Sequence, residues 1–267
     1  MRLTKHHGLG NDFLVLADPS GIRPITAELA RAVCDRRRGI GADGLLRLSP
    51  GTNGAQLTME LRNADGSRAE MSGNGISCLT QAAVLAGMAS GPSITVSTDA
   101  GLRTVDVAAD DAAHTQLMTV DMGVAKVGED EPEWVEGDVL RVVRVDIGNP
   151  HLVFHVGDLD AVDLATRGRE INEMIPGGIN VEVIAPSRHA SSSGDGELDM
   201  RVYERGVGIT QACGTGACAS AAAAVAWGIA PPDLLVHQPG GMVAIQVGDP
   251  ILMTVPVVHV ATVDWMT

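Results

Sequence analysis

Two glycine-rich loops, each leading into an apolar segment, recur about half a chain apart. SGNGISCLTQAAVLAG begins at Ser72, and CGTGACASAAAAVAWG begins at Cys213, 141 residues further along a chain of 267. A short match rich in alanine and glycine can arise by chance. If it reflects a repeat, the chain folds into two similar halves, each with a helix whose first turn directs backbone N–H groups at an anion. Ser72 and Cys213 would then occupy matching positions on the two sides of a shared cleft.

The composition limits the class of partner. The chain has a net charge of −14 and only 2% aromatic residues, so its core must be mainly aliphatic. The excess of acid disfavours nucleic acid and anionic membrane surfaces as partners. The first residues lack the apolar run of a signal peptide, and no apolar run reaches the ~18 residues of a membrane span. The four cysteines are typical of reduced thiols. We therefore expect a cytoplasmic protein whose partner is a small molecule.

Alternating apolar and polar residues predict strands over much of the chain, for example in QLTMELRN and LDMRVYE. Besides the two glycine loops, ITAELARAVCDRR predicts a helix with Thr26 as its N-cap and Gly39 just beyond its end. GIGADG (39–44) matches G-x-G-x-x-G. A helix is predicted before it and a strand after it, which is the wrong context for a dinucleotide-binding unit.

Cys213 is the first candidate for chemistry. A helix N-terminus carries about half a positive charge and several unpaired N–H donors, which stabilise a thiolate and lower the pKa of a cysteine. The sequence thus predicts Cys213 as a base beside a bound carboxylate, suited to removing a proton from the neighbouring carbon. The alternative is a small buried apolar residue at a tight turn. The paired loop at Ser72 favours the first interpretation.

Cofactor chemistry finds little support in the sequence. The chain has only two lysines, Lys5 and Lys126, which disfavours a pyridoxal-phosphate enzyme. Neither His151 nor His155 has a cysteine or carboxylate at the spacing of a metal site. No phosphate-binding Walker sequence occurs. We therefore expect neither a metal nor a cofactor.

Six motifs, in register from the first strand onward, together resemble diaminopimelate epimerase. They are HGLGNDF (7–13), GIGADG (39–44), NADGS (63–67), GNPH (148–151), YERGVG (203–208) and ACGTGACA (212–219). The resemblance implies an α/β (α+β) fold of two pseudo-symmetric halves. Each half would be a mixed, largely antiparallel sheet curled around a central helix, with the active site in the cleft between them. The expected halves are residues 1–115 with 256–267, and residues 116–255.

The resemblance also implies an activity. The family interconverts LL- and meso-2,6-diaminopimelate, in lysine and peptidoglycan precursor biosynthesis, without a cofactor. One cysteine thiolate takes the Cα proton from one face, and a second cysteine thiol delivers a proton to the other. By this resemblance we also expect a homodimer.

Individual residues match the family's functional positions. Cys213 matches one catalytic cysteine, and His151 and Glu204 match polar residues next to the reacting centre. The matches to substrate-binding positions are Asn11, Asn63, Gly73, Asn74, Asn149, Asn180, Arg205, Gly214 and Thr215. Asn63, Asn180 and Arg205 are expected around the distal end of the substrate, where the fork of an arginine suits a second carboxylate. From the residues alone, Asn149 before Pro150 could merely shape a turn, and Glu204 and Arg205 could be an exposed pair.

Two positions depart from the family pattern. Ser72 stands where the family has its other catalytic cysteine, and Ile209 stands where it usually has glutamate. Gly44, which replaces a polar residue of some members, is a minor variation. A hydroxyl is a much weaker acid than a thiol, and each pKa unit of mismatch costs about 1.4 kcal/mol, so epimerisation is expected to be impaired. Two alternatives stay open: a one-base racemase or dehydratase that uses Cys213 alone, and a catalytically silent amino-acid-binding protein.

Overall fold

The computed structural model describes residues 1–52, 54–108, 114–188 and 196–266. The chain divides into two compact units, Met1–Asp121 with Thr254–Thr267, and Met122–Met253. We call these the N-terminal unit and the C-terminal unit.

The N-terminal unit contains two helices and most of the first eight strands. Its helices are α1 (Ala27–Cys34) and α2 (Gly73–Leu85). Its strands are β1 (Arg2–Gly8), β2 (Asn11–Ala17), β3 (Gly44–Pro50), β4 (Leu57–Asn63), β5 (Arg68–Ala69), β6 (Ser93–Thr98), β7 (Gly101–Val107) and β8 (Thr115–Gly123).

The C-terminal unit has the same kinds of element. Its helices are α3 (Leu164–Met174) and α4 (Gly214–Ala226), with short 3₁₀ turns at Pro132–Trp134 and Leu159–Ala161. Its strands are β9 (Lys126–Asp130), β10 (Val139–Asp146), β11 (Pro150–Val156), β12 (Asn180–Pro186), β13 (Gly196–Glu204), β14 (Gly208–Thr210), β15 (Asp233–Gln238) and β16 (Gly241–Gln246). The last strand, β17 (Ile251–Asp264), starts in this unit and continues into the N-terminal one.

The two units repeat one topology. In the N-terminal unit β1 pairs with β2 antiparallel, β2 with β3 parallel, β3 with β4 antiparallel, and β4 with β6 parallel. In the C-terminal unit β10, β11, β12, β13 and β15 pair in the same sequence of directions. The helix that precedes the last of these strands is α2 before β6 in one unit and α4 before β15 in the other. The prediction of an α+β fold with two matching halves is thereby confirmed.

Each unit surrounds its own largely buried helix. In the N-terminal unit β17 pairs with both β1 and β8, so the strands close into a ring. Residues 73–83 of α2 are buried and contact β1 to β4 and β7. In the C-terminal unit α4 is buried from Ala217 to Ala224 and contacts strands from β9 to β16. Alanine and glycine make α4 narrow, which lets the surrounding strands approach its backbone.

Helix α1 confirms one prediction from the local sequence and contradicts another. Thr26 caps α1, as predicted, by accepting a hydrogen bond from the Leu29 N–H at 3.1 Å. The prediction that Gly39 follows the helix end is wrong, because α1 ends at Cys34. A Cβ at Gly39 would lie 2.2 Å from the Ala32 carbonyl oxygen, so glycine is needed there for close backbone packing.

Helix α3 was not among the predicted elements. Gly168 in its middle weakens the helical pattern, but a Cβ at this position would lie 2.4 Å from the Tyr203 ring. Glycine therefore lets α3 pack directly against β13. Among the described residues, no helix is long and apolar enough to cross a membrane.

Candidate active site

The N-terminus of α2 is capped by Ser72. Its backbone is extended, with φ −146° and ψ 124°, and its Oγ accepts a hydrogen bond from the Gly75 N–H at 3.0 Å. A Cβ at Gly75 would lie 3.1 Å from that Oγ. Glycine is thus the residue that lets the hydroxyl sit over the first helical turn, where donors are unpaired.

The N-terminus of α4 has the same construction with sulfur in place of oxygen. Cys213 is extended, with φ −134° and ψ 112°, and its Sγ accepts a hydrogen bond from the Gly216 N–H at 3.4 Å. The Thr215 hydroxyl lies 3.5 Å from the same sulfur. Ser72 and Cys213 are therefore equivalent N-caps, as the alignment of the two loops predicts.

The Cys213 thiol is not acidified in this structure. Burial raises its pKa well above the ordinary value, and the carboxylates of Glu204 and Glu182 raise it further. The hydrogen bonds from Thr215 and Gly216 lower the pKa, but by less. The prediction that the helix N-terminus produces a low pKa is therefore wrong, because desolvation and two nearby negative charges outweigh it.

A buried histidine and a buried glutamate lie beside α4. The Nδ1 atom of His151 on β11 is 2.8 Å from Oε1 of Glu182 on β12, and both side chains are fully buried. A Cβ at Gly216 would lie only 2.7 Å from Glu182 Oε1. Gly216, in the first turn of α4, therefore leaves space that the Glu182 carboxylate occupies.

The predicted residues Asn149 and Thr215 connect this pair to Cys213. His151 Nε2 lies 3.1 Å from Oδ1 of Asn149, and the Asn149 Nδ2 donates to the Thr215 hydroxyl at 3.4 Å. A chain of hydrogen bonds thus runs from Glu182 through His151, Asn149 and Thr215 to the Cys213 sulfur. Asn149 does more than shape the turn before Pro150.

Glu204 approaches the same sulfur from the end of β13. Its Oε1 accepts a hydrogen bond from the Thr210 hydroxyl at 2.5 Å, and its charge contributes to the raised pKa of Cys213. The β13–β14 hairpin, which pairs Glu204 with Gly208, holds it in place. Ile209 lies on this hairpin with its side chain exposed.

Arg205 and Asn180 lie together at the ends of β13 and β12. The Arg205 backbone N–H donates to Asn180 Oδ1 at 2.9 Å, and Asn180 is buried. The Arg205 side chain passes over Gly178, where a Cβ would lie 2.8 Å from its Cγ. Arg205 is exposed, and in the described part of the chain no ion pair joins its guanidinium to a carboxylate.

In the N-terminal unit, Asn11 and Asn74 meet at the start of α2. The Asn74 Nδ2 donates to Asn11 Oδ1 at 3.2 Å, and the Asn11 Nδ2 donates to Asp43 Oδ2 at 2.9 Å. Asp43 is in turn held by Arg36 at 2.7 Å. Asn74 is buried, and its Oδ1 has no hydrogen-bond partner within the described structure, which leaves an acceptor beside the helix N-terminus.

Asn63 is not joined to these two asparagines by a direct hydrogen bond. It ends β4 and its Nδ2 donates to the Ser67 hydroxyl at 3.0 Å in the turn that follows. Gly44 pairs with it across β3, and a Cβ at Gly44 would lie 3.1 Å from the Phe13 ring. Glycine at position 44 therefore reflects close packing.

Sequence reasoning missed three polar residues around the two helix starts. Gln238 accepts a hydrogen bond from the Cys213 N–H at 2.7 Å, Asp43 orients Asn11, and Glu182 binds His151. Two had a visible signal: Asp43 belongs to GIGADG, and Glu182 interrupts the apolar strand NVEVIAP. A charged residue at a buried strand position needs a specific partner.

A cavity of about 390 Å³ opens beside the buried histidine. His151, Asn149 and Gly148 form one part of its wall, and the cations Lys126 and Arg144 line another. Among the described residues, no three His, Cys, Asp or Glu side chains are placed to hold a metal ion. The polar side chains that line this cavity carry imidazole, amide, carboxylate, ammonium and guanidinium groups.

Comparison with known proteins gives one family. The family described as diaminopimelate epimerase matches residues 3–128 and 143–260. A diaminopimelate epimerase of Rhodococcus jostii is 37% identical over 92% of this chain and 90% of its own length. That of Nostoc punctiforme is 38% identical over 98% of both chains. Among solved structures, a phenazine biosynthesis protein of the PhzF family from Bacillus anthracis covers 100% of this chain and 99% of its own, with a TM-score of 0.75 at 14% identity. That last likeness concerns the fold alone.

Proposed function

Because this chain belongs to the diaminopimelate epimerase family, we propose that it interconverts LL- and meso-2,6-diaminopimelate by removing the Cα proton and returning one to the opposite face. The observation that carries this proposal is the group of side chains around Cys213. The sulfur caps α4 beside Thr215 and is linked through Asn149 to His151. An isomerase that moves a proton next to a carboxylate needs a proton donor and acceptor beside a carboxylate-binding site, and the start of α4 supplies both.

Cys213 acts in this scheme as the proton-transfer group of one face. Its thiolate form takes the Cα proton from the substrate, and the thiol so formed, which the raised pKa favours, can exchange that proton with solvent or return it to the carbanion. The thiolate accepts hydrogen bonds from Thr215 and Gly216. The N–H groups of Gly214 and Thr215 at the start of α4 bind the reacting carboxylate, and Gly73 and Asn74 occupy the matching positions at the start of α2.

The distal end of the substrate is bound by Arg205 and Asn180, and Asn63 matches a third substrate-binding position of the family. The Arg205 guanidinium has no ion-pair partner in the described part of the chain, which supports a carboxylate of the substrate as its partner. Asn180 fixes the Arg205 backbone. A substrate with one carboxylate would not need this pair.

Ser72 limits the reaction in this proposal. It holds the position of the family's second catalytic cysteine, and its hydroxyl accepts a hydrogen bond from Gly75 as Cys213 does from Gly216. A hydroxyl gives up its proton far less readily than a thiol. Each pKa unit costs about 1.4 kcal/mol, and a helix N-terminus offsets only part of that deficit. Proton return at the Ser72 face is therefore slow.

The test compares exchange with epimerisation in D₂O. For the natural chain, exchange of the Cα hydrogen of one diaminopimelate stereoisomer should outpace epimerisation. Ser72→Cys should bring the two rates together and raise turnover by orders of magnitude. Ser77→Cys is the matched control, because position 77 of α2 corresponds to Cys218 of α4 in the repeat, and the added thiol lies away from the cap.

Each alternative predicts a distinct result in the same assay. A one-base racemase or dehydratase exchanges the Cα hydrogen of another amino acid in preference to diaminopimelate. A silent binding protein binds diaminopimelate without exchange, with or without Ser72→Cys. Full epimerisation by the natural chain, unchanged by Ser72→Cys, would refute the assigned role of Ser72.

We further propose that the protein works in the cytoplasm as a homodimer. All four cysteines are unpaired thiols, which suits a reducing compartment. The homodimer rests on the family pattern. Sedimentation equilibrium tests it, with the expectation of a species of twice the 27.7 kDa chain mass.

A further inference from the structure

Glu182 is a buried charge that the activity as described so far does not use. It lies in the middle of the apolar strand β12 with none of its surface exposed. Its Oε1 faces His151 at 2.8 Å, and its Oε2 is buried without a hydrogen-bond partner in the described structure. An unpaired buried carboxylate oxygen is unfavourable. A residue retained at such a cost needs a reason other than stability.

The repeat within the chain provides an internal comparison. Phe13 pairs with Gly44 across β2 and β3, and His151 pairs with Asn180 across β11 and β12. Leu46 lies two residues after Gly44, and Glu182 lies two residues after Asn180. The N-terminal unit thus places Phe13 and Leu46 where the C-terminal unit has His151 and Glu182. Since the same topology forms with two apolar residues, the fold does not require the polar pair.

The hydrogen bonds that start at Glu182 have a defined direction. Asn149 donates its Nδ2 to Thr215, so its Oδ1 faces His151 Nε2, and that nitrogen must carry a hydrogen to donate. The Thr215 hydroxyl, which accepts from Asn149, is free to donate its own hydrogen to the Cys213 sulfur 3.5 Å away. In that arrangement every bond after the ring points toward Cys213. The contact between His151 Nδ1 and Glu182 Oε1, at 2.8 Å, needs one further hydrogen, carried by either group.

We infer that Glu182 is a positioning residue for proton transfer at Cys213: it holds the His151 ring with Nε2–H toward Asn149, which directs the Thr215 hydroxyl at the sulfur. This inference rests on the proposed function. Without Glu182, the hydrogen of a neutral His151 ring is free to move to Nδ1. The acceptor Oδ1 of Asn149 then loses its donor, the amide is free to rotate, and Thr215 no longer has a fixed orientation.

Two substitutions separate positioning from charge. Glu182→Leu copies the residue that the N-terminal unit has at the equivalent position, and it removes the polar contact between residue 182 and His151. In Glu182→Gln the side-chain amide can donate to Nδ1, which keeps the hydrogen on Nε2. Glu197→Gln is the matched control, because Glu197 also binds a histidine in the C-terminal unit, at 2.7 Å from His237 Nε2, and it lies outside the proposed site.

The first readout is Cα-hydrogen exchange from diaminopimelate in D₂O. Glu182→Leu should lower kcat about 10- to 100-fold, the range expected when a reacting group is misplaced, with KM changed less than about threefold. Glu182→Gln should retain most of the rate, and Glu197→Gln should match the natural chain. Comparable loss in Glu182→Gln and Glu182→Leu would overturn the inference, as would full activity in Glu182→Leu.

The second readout needs no turnover. In ¹⁵N–¹H NMR of the histidine rings, with His151 assigned by its absence in His151→Gln, a hydrogen on Nε2 should be seen in the natural chain and in Glu182→Gln. It should be lost or shared with Nδ1 in Glu182→Leu. An unchanged His151 spectrum in a folded Glu182→Leu protein refutes the inference even if the natural chain is active. If the natural chain shows no exchange, the proposed function fails, and the spectra alone still decide the role of Glu182.

Discussion

Replacing Arg205 tests whether the substrate carries a second carboxylate. The side chain is exposed, passes over Gly178 and has no ion-pair partner in the described part of the chain. Its backbone N–H, which binds Asn180, is kept in Arg205→Ala. The substitution therefore removes only the guanidinium, and we expect the stability of the fold to change little.

The magnitude follows from this exposure. Truncating one member of a buried pair often costs about 2–5 kcal/mol, much of it from the charge left without a partner. Arg205 leaves no protein carboxylate unpaired, so the loss should be that of a charge-assisted hydrogen bond to the substrate, about 2 kcal/mol. This corresponds to a Kd for diaminopimelate that rises roughly 30-fold.

Calorimetric titration with diaminopimelate and with lysine measures this effect. Lysine lacks the second carboxylate, so its affinity should be the same in the natural chain and in Arg205→Ala. Arg169→Ala is the control, because Arg169 is an exposed arginine on α3 of the same unit. If the Arg205 and Arg169 variants bind diaminopimelate equally well, or if lysine binding falls with diaminopimelate binding, the assignment of Arg205 to a second carboxylate is refuted.

Two further predictions concern stability. Arg47→Met should lower the free energy of unfolding by about 3–5 kcal/mol, because the Arg47 guanidinium lies 3.0 Å from the fully buried Asp18 carboxylate. Urea unfolding measures this loss. A loss no larger than that of Arg38→Ala, at an exposed arginine, would contradict the prediction. Burial, with a smaller contribution from the charges of His259 and His7, lowers the pKa of His6 to about 4, although its hydrogen bond with Gln81 acts in the opposite direction. Between pH 6.5 and 4 the unfolded chain therefore binds a proton that the folded chain does not, so stability should fall with falling pH, by roughly 3 kcal/mol over this window. His6→Gln should lack this component of the pH dependence, and parallel unfolding curves for the two proteins would exclude it.

The sequence alone determined the features that depend on neighbouring residues. A small polar residue just before a helical segment marks a helix N-cap, which placed Thr26 before the fold was known, and the glycine-rich loops placed Ser72 and Cys213 at helix N-termini. Alternation predicted the strands, since side chains point to opposite faces with a period of two. The recurrence of the glycine-rich loop after 141 residues then predicted two similar units, each with strands and a helix that begins at such a loop.

Tertiary structure decided the properties that depend on which distant residues meet. The register of β11 against β12 brings His151 to Glu182, 31 residues away, while the same register in the other unit places the apolar Phe13 and Leu46 at the equivalent positions. The pKa of Cys213 is set by burial and by two carboxylates from other strands, which outweigh the local effect of its helix. Glycine is required at position 168 of α3 because the Tyr203 ring occupies the space that a side chain would fill. Local rules act over a few residues of chain, whereas desolvation and charge act through space, and only the folded chain defines those distances.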